Sequence, residues 1–166
     1  PWAIDVGIDG DVAISTAGEL FQVARFDAGG RLMHRLVGGR ALDRLVPTMA
    51  SVPTTETARI AALAAGDIGP PVVADRNAIG LLALDPSGAA TSLRPNTPAL
   101  DIATAAGAVF TVDDLGRVHR FERDGEPDPR WSAALAPGGA RIAAAGDRVY
   151  VTQPISRTVL VLDAST

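Results

Sequence analysis

The 166-residue chain contains no cysteine, and every one of its 15 basic side chains is arginine. Without cysteine there is no disulfide scaffold, no thiolate metal site and no cysteine nucleophile. Without lysine there is no phosphate-cradling Gly-x-x-x-x-Gly-Lys loop. No Gly-x-Ser-x-Gly nucleophile elbow occurs either. The two histidines, His34 and His119, have no second histidine at ligand spacing, so a histidine-rich metal centre is not expected. Aromatic residues make up 4% of the chain, which leaves the core to Val, Ile, Leu and Ala. Long apolar runs are also missing. The longest spans Ile60 to Ala65, far short of the roughly 20 residues a membrane span needs. Basic residues are outnumbered by 19 acidic ones, for a net charge of −4, which argues against nucleic acid as a partner.

The residues present describe a globular chain with many turns. At 47% hydrophobic and 20% charged it is not of the disordered class. Seventeen glycines and 12 prolines punctuate short apolar runs, a pattern that favours an all-β fold over a helical bundle. Alanine occurs 30 times beside the all-arginine basic set, the composition of a GC-rich, actinobacterial type of genome. The chain opens at Pro1 without an initiator methionine, as a mature form or an excised piece would.

Internal repetition organises the sequence. One motif places an acid after Phe or Leu, with Gly following closely: Phe26-Asp27-Ala28-Gly29-Gly30, Leu84-Asp85-Pro86-Ser87-Gly88 and Phe121-Glu122-Arg123-Asp124-Gly125, with Leu162-Asp163 opening a fourth copy. The acids lie 58, 37 and 41 residues apart. A second motif, a glycine between small residues and a β-rich run, recurs at Gly10, Gly66, Gly107 and Gly146, with spacings of 56, 41 and 39. Two independent markers thus share one register. Strand-like runs fall between them, such as Ala3–Val6, Val12–Ser15, Phe21–Phe26 and Arg31–Leu36 in the first copy. The third copy has Leu100–Ala103, Val109–Val112, Arg117–Glu122 and a last strand-like segment near Arg130-Trp131. Alternation in Arg117-Val118-His119-Arg120-Phe121 sets Val118 and Arg120 on one face and Arg117, His119 and Phe121 on the other. About four strands per 40-residue unit is the sequence form of a β-propeller blade. The predicted fold class is therefore an all-β propeller of about four blades, with repeats at about 1–38, 57–95, 98–132 and 137–166. The fourth copy lacks an outer strand. The segment 39–56 interrupts the repeat; Arg40–Val46 has the spacing of two helical turns before Pro47.

The units resemble NHL repeats and their relatives. Pro98, Leu100, Ile102, Gly107, Val109, Arg117-Val118 and Phe121 carry the likeness in the third copy, and Pro137, Ile142, Gly146 and Val149-Tyr150-Val151 in the fourth. That resemblance implies a ring of six or seven blades, completed by further blades or by a second chain. It also implies a non-catalytic binding or sensing module for a protein or small ligand, placed outside the cytoplasm of a bacterium. The alternative it implies is an enzyme of lyase or metal-dependent lactonase type, with its site at the mouth of the central channel.

The candidate residues follow from these readings. Asp5, Asp9 and Asp11 supply hard oxygen ligands, so Ca²⁺ is the one cofactor considered, although Asp9-Gly10-Asp11 also reads as a hairpin. Asp5, Asp101 and Arg141 fall on the expected innermost strands. Asp27, Asp85, Glu122 and Asp163 recur at equivalent turns, which marks them as structural. Trp2 and Trp131 are candidates for partner contact, with packing between blades as the alternative. Arg117 and Arg120 are read as interaction candidates or as a self-paired edge neutralised by Glu122, Asp124, Glu126 and Asp128.

Overall fold

A computed structural model describes residues 3–7, 9–16, 22–37, 60–64, 72–75, 80–84, 90–94, 97, 99–131 and 140–165. The excursion at 39–56 and Trp2 lie outside the described residues. Within them the chain is all-β. It forms four antiparallel meanders in succession. The first joins β1 (Ala3–Val6), β2 (Val12–Thr16), β3 (Gln22–Phe26) and β4 (Leu32–Val37). The second joins β5 (Ile60–Ala64), β6 (Val72–Asp75), β7 (Gly80–Leu84) and β8 (Ala90–Arg94). The third holds β9 (Asp101–Ala105), β10 (Ala108–Val112) and β11 (Val118–Phe121), and the fourth β12 (Ile142–Ala145), β13 (Arg148–Gln153) and β14 (Thr158–Asp163). Strand order within every sheet follows chain order. Between sheets, first strands meet first strands: β1 contacts β5, β5 contacts β9 and β9 contacts β12. That places the four first strands innermost, as in propeller blades.

One strand differs from expectation. The predicted last strand of the third sheet, near Arg130-Trp131, is a turn, reached through a single bridge between Phe121 and Pro127. Pro127 and Pro129 have no N–H to give a ladder, so pairing stops after one residue.

The hairpins use one recurring turn. Asp27 N–H donates to the Arg31 carbonyl and Gly30 N–H to the Asp27 carbonyl; Asp113, Gly116 and Arg117 repeat this, as do Glu122, Gly125 and Glu126. The glycine carries φ +80°, +77° and +88° in the three cases. This is the three-residue hairpin loop that closes on a left-handed residue, which glycine adopts without steric cost.

Packing alternates between the two faces of each sheet. Ile102, Val109 and Phe121 of the third sheet bury against Ala64, Val72, Ala74 and Leu81 of the second. Its opposite face, with Ala103, Phe110, Val112 and Val118, buries against Ile142, Val149 and Val151 of the fourth. Alanine at Ala103, Ala105, Ala108 and Ala140 lets these sheets approach closely, which accounts for part of the alanine surplus.

Candidate functional site

Asp101 opens β9 on the inner side of the array. Its carboxylate accepts N–H bonds from Ile102 (3.2 Å) and from Ile142, 41 residues further on (3.1 Å). The second bond ties the innermost strand of the third sheet to that of the fourth. Burial raises the Asp101 pKa above the ordinary carboxylate value; the Ile142 N–H and the Arg141 charge pull it back, and the Asp5 charge pushes it up. The Ile142 N–H bond sets Arg141, its chain neighbour, beside Asp101, while Asp5 on β1 acts on Asp101 only as the smallest of these charge effects.

The remaining carboxylates are held by their own sheets. Asp11 is buried and paired with Arg25 across the β2–β3 ladder. Asp9 is exposed on the turn closed by the Gly10 N–H to Gly7 carbonyl bond. Among the described residues no group of three or more acids or histidines is arranged to hold a metal ion, so Asp5, Asp9 and Asp11 are not gathered into one. Asp113 accepts from Leu115 N–H, Arg117 N–H, Arg117 Nε (2.8 Å) and lies 3.2 Å from His119 Nε2. Asp27 makes the same turn bonds to Gly29, Arg31 N–H and Arg31 Nε. Asp163 accepts from Ser165 N–H and Oγ.

Arg120 is more enclosed than a solvated edge would leave it, at 11% side-chain exposure, with Nη1 on Asp128 and Glu122 at 2.6 Å each. Register explains this: Arg120 lies opposite Phe110 in the ladder, so its stem runs over the packed face. Arg117 is half exposed and paired with Asp113. Trp131 turns inward. Its backbone N–H donates to the Asp128 carbonyl, and its ring stands edge-on to Phe110 at 4.9 Å between centroids, so it packs in the core of the third sheet. Asp128, which organises this corner by also accepting from Arg130, was visible in the sequence only as one acid in a mixed-charge run.

These bonds fix the response to acid. On Asp113, burial pushes the pKa up, and the bonds from Arg117 and His119 outweigh it, leaving the group below the ordinary carboxylate range. The Arg130 guanidinium holds Asp128 well below the usual range, and the Arg31 N–H and the Ser165 hydroxyl hold Asp27 and Asp163 low. A carboxylate depressed on folding stabilises above its unfolded pKa, and that stability is lost as pH falls through the folded pKa. Asp101, raised on folding, contributes with the opposite sign. Four groups of the first kind against one of the second predict a urea midpoint that drops below about pH 4, with a shallower drop in Asp113→Asn. A midpoint that rises on acidification would contradict the pairing.

No protein-family model matches the chain, and no curated protein matches it. Solved structures do. AztD from Citrobacter koseri is 15% identical at a TM-score of 0.57, covering 98% of this chain and 43% of that one. BamB from Moraxella catarrhalis is 16% identical at 0.54, covering 95% and 46%. A streptogramin B lyase is 13% identical at 0.53, covering 100% and 55%. The chain spans about half the length of these structures. They are β-propeller proteins, and the fold of this chain is a β-propeller segment.

Proposed function

We propose that the chain is part of a non-catalytic β-propeller binding module, with its ligand contact at the inner-strand group of Asp5, Asp101 and Arg141. The observation that carries this reading is where the carboxylates go. Asp11, Asp113 and Asp128 are buried and held by arginines of their own sheets. Asp101 differs from these: backbone N–H groups of Ile102 and Ile142 hold it on the inner side of the array, with Arg141 next along the chain from that bond. Carboxylates and a guanidinium on inner strands suit a small ligand, or a protein segment, that bears charges of both signs.

The test is a thermal-shift panel of free amino acids and dipeptides. At least one member should raise Tm by a few degrees, and Arg141→Ala should abolish the shift. Asp101→Asn keeps an oxygen to accept the Ile142 N–H while removing a half-buried charge. It should therefore preserve or raise Tm without ligand and weaken the ligand response. If no member shifts Tm, or if the chain turns over an ester or lactone panel at a rate that collapses in Asp101→Asn, the binding reading fails and the enzyme alternative replaces it.

A further inference from the structure

Asp-Gly occurs at two places in the sequence, Asp9-Gly10 and Asp124-Gly125, and Asn-Gly at none. In Asp-Gly a side-chain carboxyl can react with the chain itself, because glycine has no Cβ to obstruct the approach of its nitrogen. That nitrogen bonds to the aspartate Cγ as a Cγ–O bond breaks. The oxygen leaves as water, carrying the N–H proton and the carboxyl proton. Water then opens the five-membered imide. Where it adds at the main-chain carbonyl carbon, the bond from that carbon to nitrogen breaks, and the chain runs on through Cγ as isoaspartate. Mass is unchanged and no other reactant enters.

The fold treats the two sites differently. Both lie in hairpin turns with the glycine N–H bonded inside the turn, Gly10 to the Gly7 carbonyl at 3.0 Å and Gly125 to the Glu122 carbonyl at 2.8 Å. The carboxylates distinguish them. Asp124 accepts the Glu126 N–H at 3.1 Å, which turns it toward the residue after the glycine. Asp9 is exposed, and among the described residues its carboxylate has no hydrogen-bond or ion-pair partner. Packing separates them further, because closing the imide requires the peptide between aspartate and glycine to rotate. A Cβ added at Gly125 would lie 2.1 Å from the backbone oxygen of Leu93, in the second sheet. At Gly10 the neighbour is the Ala28 methyl, at 3.3 Å, on a turn of the same sheet. Asp9 sits on the β1–β2 hairpin beyond the last strand pair, Val6 with Val12, and not on a face of the sheet. We propose that Asp9 is the site at which this chain isomerises, that packing on the second sheet holds Asp124 against the same reaction, and that the change at Asp9 loosens the first sheet. The added backbone carbon falls within the turn closed by the Gly7 N–H to Asp11 carbonyl bond (2.8 Å). It also lies two residues before the buried Asp11 carboxylate that pairs with Arg25.

The experiment holds the 166-residue chain folded at about pH 5, where an ordinary carboxyl is still partly protonated, and a second portion in urea at the same pH. Peptide mapping with electron-transfer fragmentation distinguishes isoaspartate from aspartate at each site. In the folded chain Asp9 should convert at least about tenfold faster than Asp124, because only Asp124 must wait for sheets to part. In urea the two should convert at similar rates, since each precedes glycine and no packing remains. Asp9→Glu keeps the charge and removes the five-membered closure, so it should stop conversion at that site and leave the fold intact. The isomerised chain, separated by ion exchange, should unfold at lower urea than the unconverted chain. Equal rates in the folded chain overturn the proposal. So does a ratio that persists in urea, which would place its cause in the neighbouring residues and not in the fold. An unchanged urea midpoint overturns the loosening of the first sheet.

Discussion

Gly125→Ala is expected to cost about 4 kcal/mol or more, a loss of the size reserved for strain that the fold cannot relax. A Cβ built at Gly125 lies 2.1 Å from the Leu93 carbonyl oxygen and 2.7 Å from its carbon. Both atoms are backbone, so no side chain can swing away. Leu93 belongs to β8, the outermost strand of the second sheet, so relief means moving the turn of one sheet off the edge of another. The left-handed φ of +88° adds its own penalty, but that part is only about 1–2 kcal/mol for any non-glycine residue. Gly30 and Gly107 separate the two terms: they have φ of +80° and +77° and nothing within 4 Å of an added Cβ. Gly30→Ala and Gly107→Ala should each lose about 1–2 kcal/mol, the conformational term alone. Urea unfolding of the three variants measures the difference. If Gly125→Ala falls within 1 kcal/mol of the other two, the close approach is not a constraint. Against a total stability of about 5–15 kcal/mol, the expected loss is enough to lower soluble yield as well.

That prediction also shows which features the sequence makes legible. The turn containing Gly125 is readable, because an acid followed three residues later by glycine recurs between alternating runs. The strands are readable for the same reason: the run Val12–Ser15 and the strand Val12–Thr16 differ by one residue at one end. What makes Gly125 irreplaceable is Leu93, 32 residues earlier, and no local pattern records that contact. The same holds at the inner strands. Asp101 is readable as an inner-strand acid, yet its bond to the Ile142 N–H depends on how two sheets sit side by side. Arg120 and Asp128 look like surface charges in a neutralised run; strand register and the inward turn of Trp131 enclose them. Local chemistry therefore specifies the hairpins, and contacts between sheets specify the site.

Phe110→Ala should cost about 3–5 kcal/mol, the range for removing a buried phenyl ring and leaving a cavity. Phe110 sits mid-strand on β10 with no exposed surface. It shares one cluster with Val149 and Val151 of the fourth sheet and stands edge-on to Trp131. Its removal strips one wall from Trp131 and loosens the seam between two sheets, so the tryptophan emission should also shift to the red. Phe110→Leu keeps most of the volume and should lose no more than about 1.5 kcal/mol. Equal losses for the two variants would show that the ring is not packed as described. Tyr150 is the informative partner to this pair. It occupies the position of Phe110 in the fourth sheet but is 39% exposed, so Tyr150→Ala should cost well under half as much. One ring position, read in two sheets, thus isolates what a covering sheet contributes.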